Sequence, residues 1–233
     1  MSRTIVLYDL AGADDRLRFS PYCWRVRLAL AHKGLPVETR PWRMTERESI
    51  AFSGQALVPV LVDGGHCVYD SWRIACYLED TYPQRPSLFG GASGRAHALF
   101  MDRWYEHAIR PVIPRIVLLT VHAALHERDR PHFRTTRETR FGNVPLEEAA
   151  YPPEQGRVLL AQALAPVREV LGRTPFLGGQ DISYADYIVF SGIQQARVLG
   201  LPLLLDSDPM QAWVRSMLDA HDGCARQAWI LPT

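Results

Sequence analysis

The sequence predicts an α/β domain followed by a domain built of helices alone, and three observations support this prediction. Residues 1–83 alternate strand and helix patterns in the order βαβ-αββα, which is typical of a mixed four-stranded sheet. Proline and glycine crowd residues 84–94, which indicates a linker between two domains. Residues 95–233 show helical periodicity and almost no strand signal, so this part is predicted to be an all-α domain.

The first predicted unit is a strand, a long loop and a helix. Thr4 to Leu10 has strand composition, and residues 11–19 form a loop that carries charges and glycine. Ser20 is a favoured N-cap residue, and Pro21 suits the first helical position because its missing N–H has no partner there anyway. The helix is predicted to end at Gly34.

The remaining elements of the first domain follow from short patterns. Residues 36–41 suggest a second strand and residues 45–52 a short helix. Residues 57–62 and 66–69 read as a hairpin around the turn Asp63-Gly64-Gly65, whose residues suit positive φ angles. Asp70-Ser71 then precedes another helix.

Two signals stand out in the helical part. The long helix that begins near Arg95 should be kinked or divided by Pro111 and Pro114. Ser183 followed by Asp186 has the pattern of a capping box, which predicts a strongly specified helix start.

Composition narrows the possible functions. The chain has 26 basic and 25 acidic residues, so no overall field favours nucleic acid or an anionic membrane surface. Lys33 is the only lysine, which disfavours Schiff-base chemistry and leaves arginine or backbone N–H groups to bind anions. The four cysteines are widely spaced, as expected for reduced thiols in a cytoplasm, and no secretion signal or membrane span is evident. Hydrolase, metalloprotease and nucleotide-binding motifs are absent.

A family resemblance is carried by three motifs in order: "SPYC" at the first helix, Val58-Pro59 opening a strand, and Asp70-Ser71 at the third helix. Together with the capping box, they make the whole chain resemble the glutathione transferase superfamily. More narrowly, "YDL", "SPYCWR", "LAHKG" and "FRTTRETRFGNVPLEE" resemble the bacterial glutathione-dependent β-etherases and the related fungal class. The stretch "SPYCWRVRLAL" also resembles the zeta class, although zeta enzymes have a shorter first loop with Ser-Ser-Cys.

The resemblance implies a thioredoxin-like N-terminal domain, an all-helical C-terminal domain and glutathione as cosubstrate. It also implies a cytoplasmic homodimer that acts on a small hydrophobic electrophile, with no nucleic-acid or membrane partner. A β-etherase would displace an aryloxide from a carbon next to a ketone. A zeta-like enzyme would isomerise a maleyl compound, and a non-catalytic member would only bind ligands or a protein.

The expected catalytic residue is Ser20, which occupies the position where related oxidoreductases have their attacking cysteine. At a helix N-terminus, free N–H groups and the positive end of the dipole stabilise an anion. A free thiol has a pKa near ~8.5, and such surroundings lower it. We therefore expect the Ser20 hydroxyl to donate a hydrogen bond to the glutathione thiolate rather than to attack. Helix capping alone is the structural alternative.

The other expected glutathione contacts come from three segments. The resemblance implies a cis peptide bond before Pro59, with the main chain of Val58 pairing with the cysteinyl part of glutathione. Asp70 and Ser71 would receive the γ-glutamyl end. Gln55 is the choice for the glycyl end, for which Arg40, Trp42 and Arg43 are further candidates.

Cys23 and the electrophile pocket complete the expectations. Two states are possible for Cys23, which lies one helical turn beyond Ser20: a buried, inert thiol, or an exposed thiol that is active in thiol exchange.

The pocket for the electrophile should lie between the domains and include the loop 11–19. Its expected residues are Phe19, Tyr22, Trp104, Tyr105 and His107. His122 and His126, with Glu127 and His132 nearby, have a spacing that could bind zinc, but we do not expect a zinc site because histidines near a helix end are commonly solvated.

Overall fold

The computed structural model describes residues 4–232 and contains one four-stranded sheet and eleven α-helices within them. The strands are β1 Ile5–Leu10, β2 Val37–Trp42, β3 Val60–Asp63 and β4 His66–Tyr69. The helices are α1 Pro21–His32, α2 Ser71–Thr81, α3 Ala92–Ala108, α4 Ile113–Ile116, α5 Leu118–Ala124, α6 Arg130–Arg140, α7 Leu146–Ala149, α8 Pro153–Ala163, α9 Ala165–Leu171, α10 Tyr184–Val198 and α11 Gln211–Gly223. A 3-10 helix, Arg47–Ser53, lies between β2 and β3.

The sheet has the strand order β2-β1-β3-β4. β1 is parallel to β2 and antiparallel to β3, and β4 returns antiparallel to β3 across the hairpin. This mixed sheet followed by helices confirms the predicted fold class. No helix within residues 4–232 is both long and apolar enough to cross a membrane.

Several predicted boundaries shift in the structure. The predicted short helix at residues 45–52 is the 3-10 helix, and α3 begins at Ala92 rather than near Arg95. α3 ends at Ala108, just before Pro111, because a proline inside a helix removes a backbone hydrogen bond and clashes with the preceding turn. The domain limits 1–83, 84–94 and 95–233 stay a prediction, and residues 1–3 and 233 lie outside the described residues.

The capping box predicted at Ser183 is present and is part of a larger network. The Ser183 side chain accepts from the backbone of Ala185, and the Asp186 carboxylate accepts from the Ser183 backbone. Asp186 is fully buried and also accepts from the N–H groups of Leu177 and Gly178 and from the Trp213 indole. The capping carboxylate therefore also fixes the preceding loop and α11 against the start of α10.

The central helix α10 joins the sheet domain to the helical domain. It packs against both α1 and α3, and almost every one of its residues is buried. Between these helices lies Arg25, which is inaccessible to solvent, pairs with Asp102 at 2.7 Å and donates to Ser191 at 3.2 Å. A buried charge needs such a partner, so this ion pair fixes how α1 and α3 sit against each other.

Candidate functional site

The predicted site residues converge because the strand register places them at one end of the sheet. Tyr8 of β1 pairs with Val60 of β3, which in turn pairs with Tyr69 of β4. The C-terminal ends of β1 and β4 and the N-terminal end of β3 therefore meet at the same edge. Ser20 follows the first of these ends along the chain, Val58-Pro59 leads into the second, and Asp70-Ser71 follows the third. The structure thus brings the three motifs to one edge of the sheet.

Ser20 is the N-cap of α1 and is nearly buried. Its backbone is extended, its Oγ accepts a hydrogen bond from the Cys23 N–H at 3.3 Å, and Pro21 occupies the first turn. Because the hydroxyl oxygen acts as acceptor in the cap, its proton remains available as a donor, and the Cys23 thiol is one group within hydrogen-bond reach of it. The hydroxyl therefore lies at the start of the first helical turn, where Pro21 has no N–H and the Cys23 and Trp24 N–H groups both donate to Ser20.

Cys23 is fully buried one turn into α1. Burial raises the pKa of its thiol well above the ordinary value, and the charge of Asp9 adds to that effect. A neutral thiol is a poor nucleophile, so its surroundings favour the inert state over the exchange-active one.

The Val58–Pro59 peptide bond is cis, as the family resemblance implied. Asp70 has a φ of 70°, in the left-handed region that non-glycine residues rarely adopt, and its carboxylate caps α2 by accepting from the Arg73 N–H at 3.0 Å. Backbone strain of this kind concentrates at functional sites. Ser71 is buried at the start of α2, and its carbonyl accepts from the Tyr184 hydroxyl at 2.8 Å, which ties it to the helical domain.

The candidates for the glycyl end are mostly engaged within the protein. Trp42 is buried and donates to the Glu46 carbonyl, whereas Arg40 pairs with Glu38 at 2.8 Å. Arg43 pairs with Asp15 at 2.5 Å. The Gln55 side-chain NH₂ group donates one hydrogen bond to the carbonyl of Gly54, and its second N–H has no acceptor among the described residues. A carboxylate accepts hydrogen bonds, so this N–H is the Gln55 group that suits the glycyl end.

The long loop 11–19 is folded on itself and held by the helical domain. Gly12 donates to the Leu17 carbonyl at 3.0 Å, and Ala13 donates to the Ala124 carbonyl at the end of α5 at 2.8 Å. The buried carboxylate of Asp129, just before α6, accepts from the backbone of Met44 and Thr45. The segment between α5 and α6 thus closes over one side of the sheet edge.

Tyr22 links the start of α1 to α3. Its hydroxyl donates to Glu106 at 2.6 Å, and Glu106 also pairs with Arg110 at 3.1 Å. Burial raises the pKa of Tyr22 far above its ordinary value, and the hydrogen bond to Glu106 reinforces this, so the hydroxyl stays neutral. Sequence reasoning missed both Glu106 and Arg110, since an acid and a base four residues apart on a helix indicate only a surface ion pair.

The remaining expected pocket residues differ in exposure. Phe19 and Tyr105 are each only 2% exposed, and the Arg25 guanidinium lies 4.4 Å from the centre of the Tyr105 ring. Both side chains belong to the core, which argues against the expectation that they line a pocket; aromatic residues at helical spacing are commonly core residues. Trp104 is half-buried against the core and His107 is exposed.

No metal site emerges from the geometry. Among residues 4–232, no group of three or more histidine, cysteine or acidic side chains is arranged to hold a metal ion. His122 instead contacts the Phe133 ring with a centroid distance of 6.1 Å.

Two family models match separate parts of the chain. The model described as "Glutathione S-transferase, N-terminal domain" matches residues 16–86, and the model described as "Glutathione S-transferase, C-terminal domain" matches residues 96–202. Together these matches cover more than half of the sequence and both kinds of predicted domain.

Curated relatives have moderate identity. The "Glutathione S-transferase-like protein ustS" of Aspergillus flavus is 28% identical over 171 residues, 69% of this chain, and the match spans 58% of that relative's length. The zeta-class glutathione S-transferase of Euphorbia esula is 39% identical over 70 residues, which cover 28% of this chain and 31% of that protein. The zeta similarity is thus higher in identity but confined to a short segment.

Solved structures agree over almost the whole chain. Glutathione transferase GSTFuA3 from Phanerochaete chrysosporium superposes with a TM-score of 0.82 at 26% identity, covering 92% of this chain and 96% of that one. A glutathione S-transferase of Ceriporiopsis subvermispora, solved in complex with glutathione, has a TM-score of 0.80 at 24% identity, covering 98% and 99%. At that identity, the second similarity concerns the fold alone.

Proposed function

The chain belongs to the glutathione transferase superfamily, and from this premise we propose that it is a glutathione transferase in which Ser20 stabilises the thiolate of bound glutathione. The thiolate attacks a small hydrophobic, aromatic electrophile. Glutathione is the cosubstrate that the family uses, and the chain's own part is to bind it and keep its sulfur ionised. Ser20 is therefore a stabilising group and not the nucleophile.

One observation carries the proposal: a nearly buried hydroxyl caps α1 at the sheet edge where Val58–Pro59 and Asp70-Ser71 also meet. The Ser20 oxygen is already an acceptor, so its proton can be donated to a sulfur anion lying at the helix N-terminus. A hydrogen bond to a charged group contributes about 1.5–3 kcal/mol, enough to shift a thiol pKa by about one to two units.

We propose the following roles for the other site residues. The main chain of Val58, beside Pro59, pairs with the cysteinyl part of glutathione. The start of α2 takes the γ-glutamyl end: the hydroxyl and N–H of Ser71 receive its carboxylate, and the Asp70 carboxylate faces its ammonium group. Gln55 contacts the glycyl end. Tyr22, Trp104 and His107 border the electrophile.

Isothermal titration with glutathione, followed by turnover with a panel of electrophiles, tests this proposal. We expect glutathione to bind with micromolar to millimolar affinity and the Ser71→Ala variant to bind it more weakly. Absence of glutathione binding to the folded protein would contradict the proposal. Binding without conjugation of any electrophile would instead indicate a non-catalytic member that binds glutathione.

Within this function, we propose β-aryl ether cleavage, with displacement of an aryloxide next to a ketone. The sequence motifs that resemble the β-etherases and the related fungal class support it. The second candidate is a zeta-like maleyl isomerase, which the similarity to the Euphorbia esula protein favours. Glutathione consumption separates them, because ether cleavage consumes one glutathione per turnover and an isomerase consumes none. Full activity of a Cys23→Ala variant would also exclude a thiol-exchange route.

We also propose that the protein is a homodimer. Two groups of large apolar side chains are exposed: Phe52 and Leu57 near β3, and Leu99 and Phe100 on α3. Exposed apolar side chains of this size commonly mark an interface. Phe100→Glu is expected to shift the mass measured by light scattering towards the monomer, and an unchanged mass at low concentration would place the interface elsewhere.

A further inference from the structure

Arg137 of α6 is a half-buried arginine that pairs with no carboxylate among residues 4–232. Its guanidinium donates to the Thr136 hydroxyl at 3.2 Å and lies over the Phe133 ring, 4.7 Å from the ring centre. Burial lowers the pKa of this guanidinium, and the positive charge of Arg110 lowers it further. Arginine is rarely buried without an acidic partner, because a cation that loses hydration needs a counter-charge. Arg137 therefore lies where an anion is missing.

The acids nearest to Arg137 along the chain are already engaged. Glu138 and Glu147 both pair with Arg134, each at 2.8 Å. Arg140, the next arginine on the same helix, is exposed to water, which hydrates its charge. Arg137 thus differs from both arginines beside it on α6.

The carboxylate of Glu106 on α3 does not supply the missing charge either. One of its oxygens accepts from the Tyr22 hydroxyl at 2.6 Å, and the other pairs with Arg110 at 3.1 Å. With Arg137 near Arg110, two guanidinium groups are present for this one carboxylate. The region between the end of α3 and α6 therefore has a positive charge in excess.

This region adjoins the place proposed for the electrophile. Tyr22 at the start of α1 borders the electrophile in the proposed function, and its hydroxyl is linked through Glu106 to Arg110. The other side is formed by α6, whose preceding residue Asp129 is fixed beside the sheet edge by hydrogen bonds from the backbone of residues 44 and 45. Arg137 follows Asp129 by about two helical turns.

From these contacts we infer that Arg137 is a specificity-determining residue, which selects electrophiles that carry a carboxylate at the end remote from the reacting carbon. The inference rests on the proposed function, because it names the substrate class of that same site. The ring of the electrophile lies beside Tyr22, and its carboxylate binds the edge of the Arg137 guanidinium. Stacking on Phe133 keeps the guanidinium N–H groups directed sideways, where they can bind carboxylate oxygens.

The test compares glutathione conjugates that differ only in charge. S-(4-carboxybenzyl)glutathione is compared with S-(4-carbamoylbenzyl)glutathione, and a biphenylmethyl pair with the same two end groups places the charge further from the sulfur. Binding is measured by isothermal titration, with free glutathione titrated in parallel. In at least one pair, the carboxylate should bind at least about tenfold more tightly than the carboxamide, since its hydrogen bonds to Arg137 are charge-assisted.

Four variants locate the preference. Arg137→Gln should bring the affinity ratio within each pair close to one and leave glutathione affinity unchanged. Arg137→Met keeps the apolar contact with Phe133, so it should give the same result even if Arg137→Gln proves unstable. Arg137→Lys keeps the charge and should retain part of the preference. Arg140→Gln, an exposed arginine on the same helix, is the matched control and should keep the wild-type ratio.

The outcomes separate this inference from the proposed function. Equal affinity for carboxylate and carboxamide in both pairs, with glutathione bound normally, would overturn the inference and leave the proposed function standing. A preference that persists in Arg137→Gln or Arg137→Met would place the carboxylate at another cation and would also overturn it. Absence of glutathione binding would contradict the proposed function, and the inference with it.

Discussion

The Ser20→Ala substitution separates two roles that the structure gives to one hydroxyl. As a helix cap, the oxygen accepts from the Cys23 N–H at 3.3 Å, and loss of a serine cap costs about 1 kcal/mol of unfolding free energy. As a donor to the glutathione thiolate, the proton contributes about 1.5–3 kcal/mol, because the acceptor is charged. Loss of this donated hydrogen bond should raise the pKa of the bound glutathione thiol by about one to two units.

The assay is the pH dependence of kcat/KM, with urea unfolding measured in parallel. Below the thiol pKa, we expect the variant to be about 10- to 100-fold slower than the wild type, with the gap closing as the pH rises. Ser183→Ala is the matched control, since it also removes a capping hydroxyl and Ser183 is not among the residues proposed to contact glutathione. It should lose stability without any shift of the pH profile. A Ser20→Ala profile parallel to that of the wild type would refute the reasoning.

Three further predictions concern other contacts of the structure. Asp186→Ala leaves five hydrogen-bond donors without their acceptor, so urea unfolding should show a loss of about 4 kcal/mol or more, and a loss below about 1 kcal/mol would contradict the network. Tyr22→Phe removes the hydrogen bond to Glu106, so KM for the electrophile should change in steady-state kinetics while the glutathione Kd from calorimetry stays constant; an equal change in both would place Tyr22 in the glutathione site. Burial, with the nearby His221 adding to it, lowers the pKa of His32 to about 4, so the wild type should keep full stability above about pH 6.5 and lose it as the pH falls toward 4. At pH 5 the shift corresponds to about 2 kcal/mol, which partial exposure of the ring reduces to about 1. A His32→Gln variant measured by urea unfolding should lose less stability than the wild type by about that amount, while His221, whose pKa is also lowered by burial, still contributes a loss.

The elements that the sequence predicted well are those set by local physics. The N-cap at Ser20, the capping box at Ser183 and the hairpin turn at Asp63 each depend on hydrogen bonds or φ angles within a few residues. Their chemistry can therefore be read from short patterns. The cis bond before Pro59 was implied only by the family resemblance, since a valine-proline pair by itself allows both isomers.

The predictions that failed or were missing concern residues distant in sequence. Phe19 and Tyr105 have the composition of pocket residues, but packing of α1, α3 and α10 places them in the core. Glu106 became a site candidate only because α3 lies beside Tyr22 in space. No single-sequence pattern encodes such a contact.

The sequence alone determined the order of strands and helices, the caps that begin α1 and α10, and the family to which the motifs point, because these depend on neighbouring residues. The tertiary structure decided which side chains share a site: it brought three motifs to one edge of the sheet, buried Cys23 against Asp9, and placed Arg137 of α6 near Arg110 of α3. Burial and distance between remote residues set the charge state and accessibility of each group, and both arise only when the chain is packed.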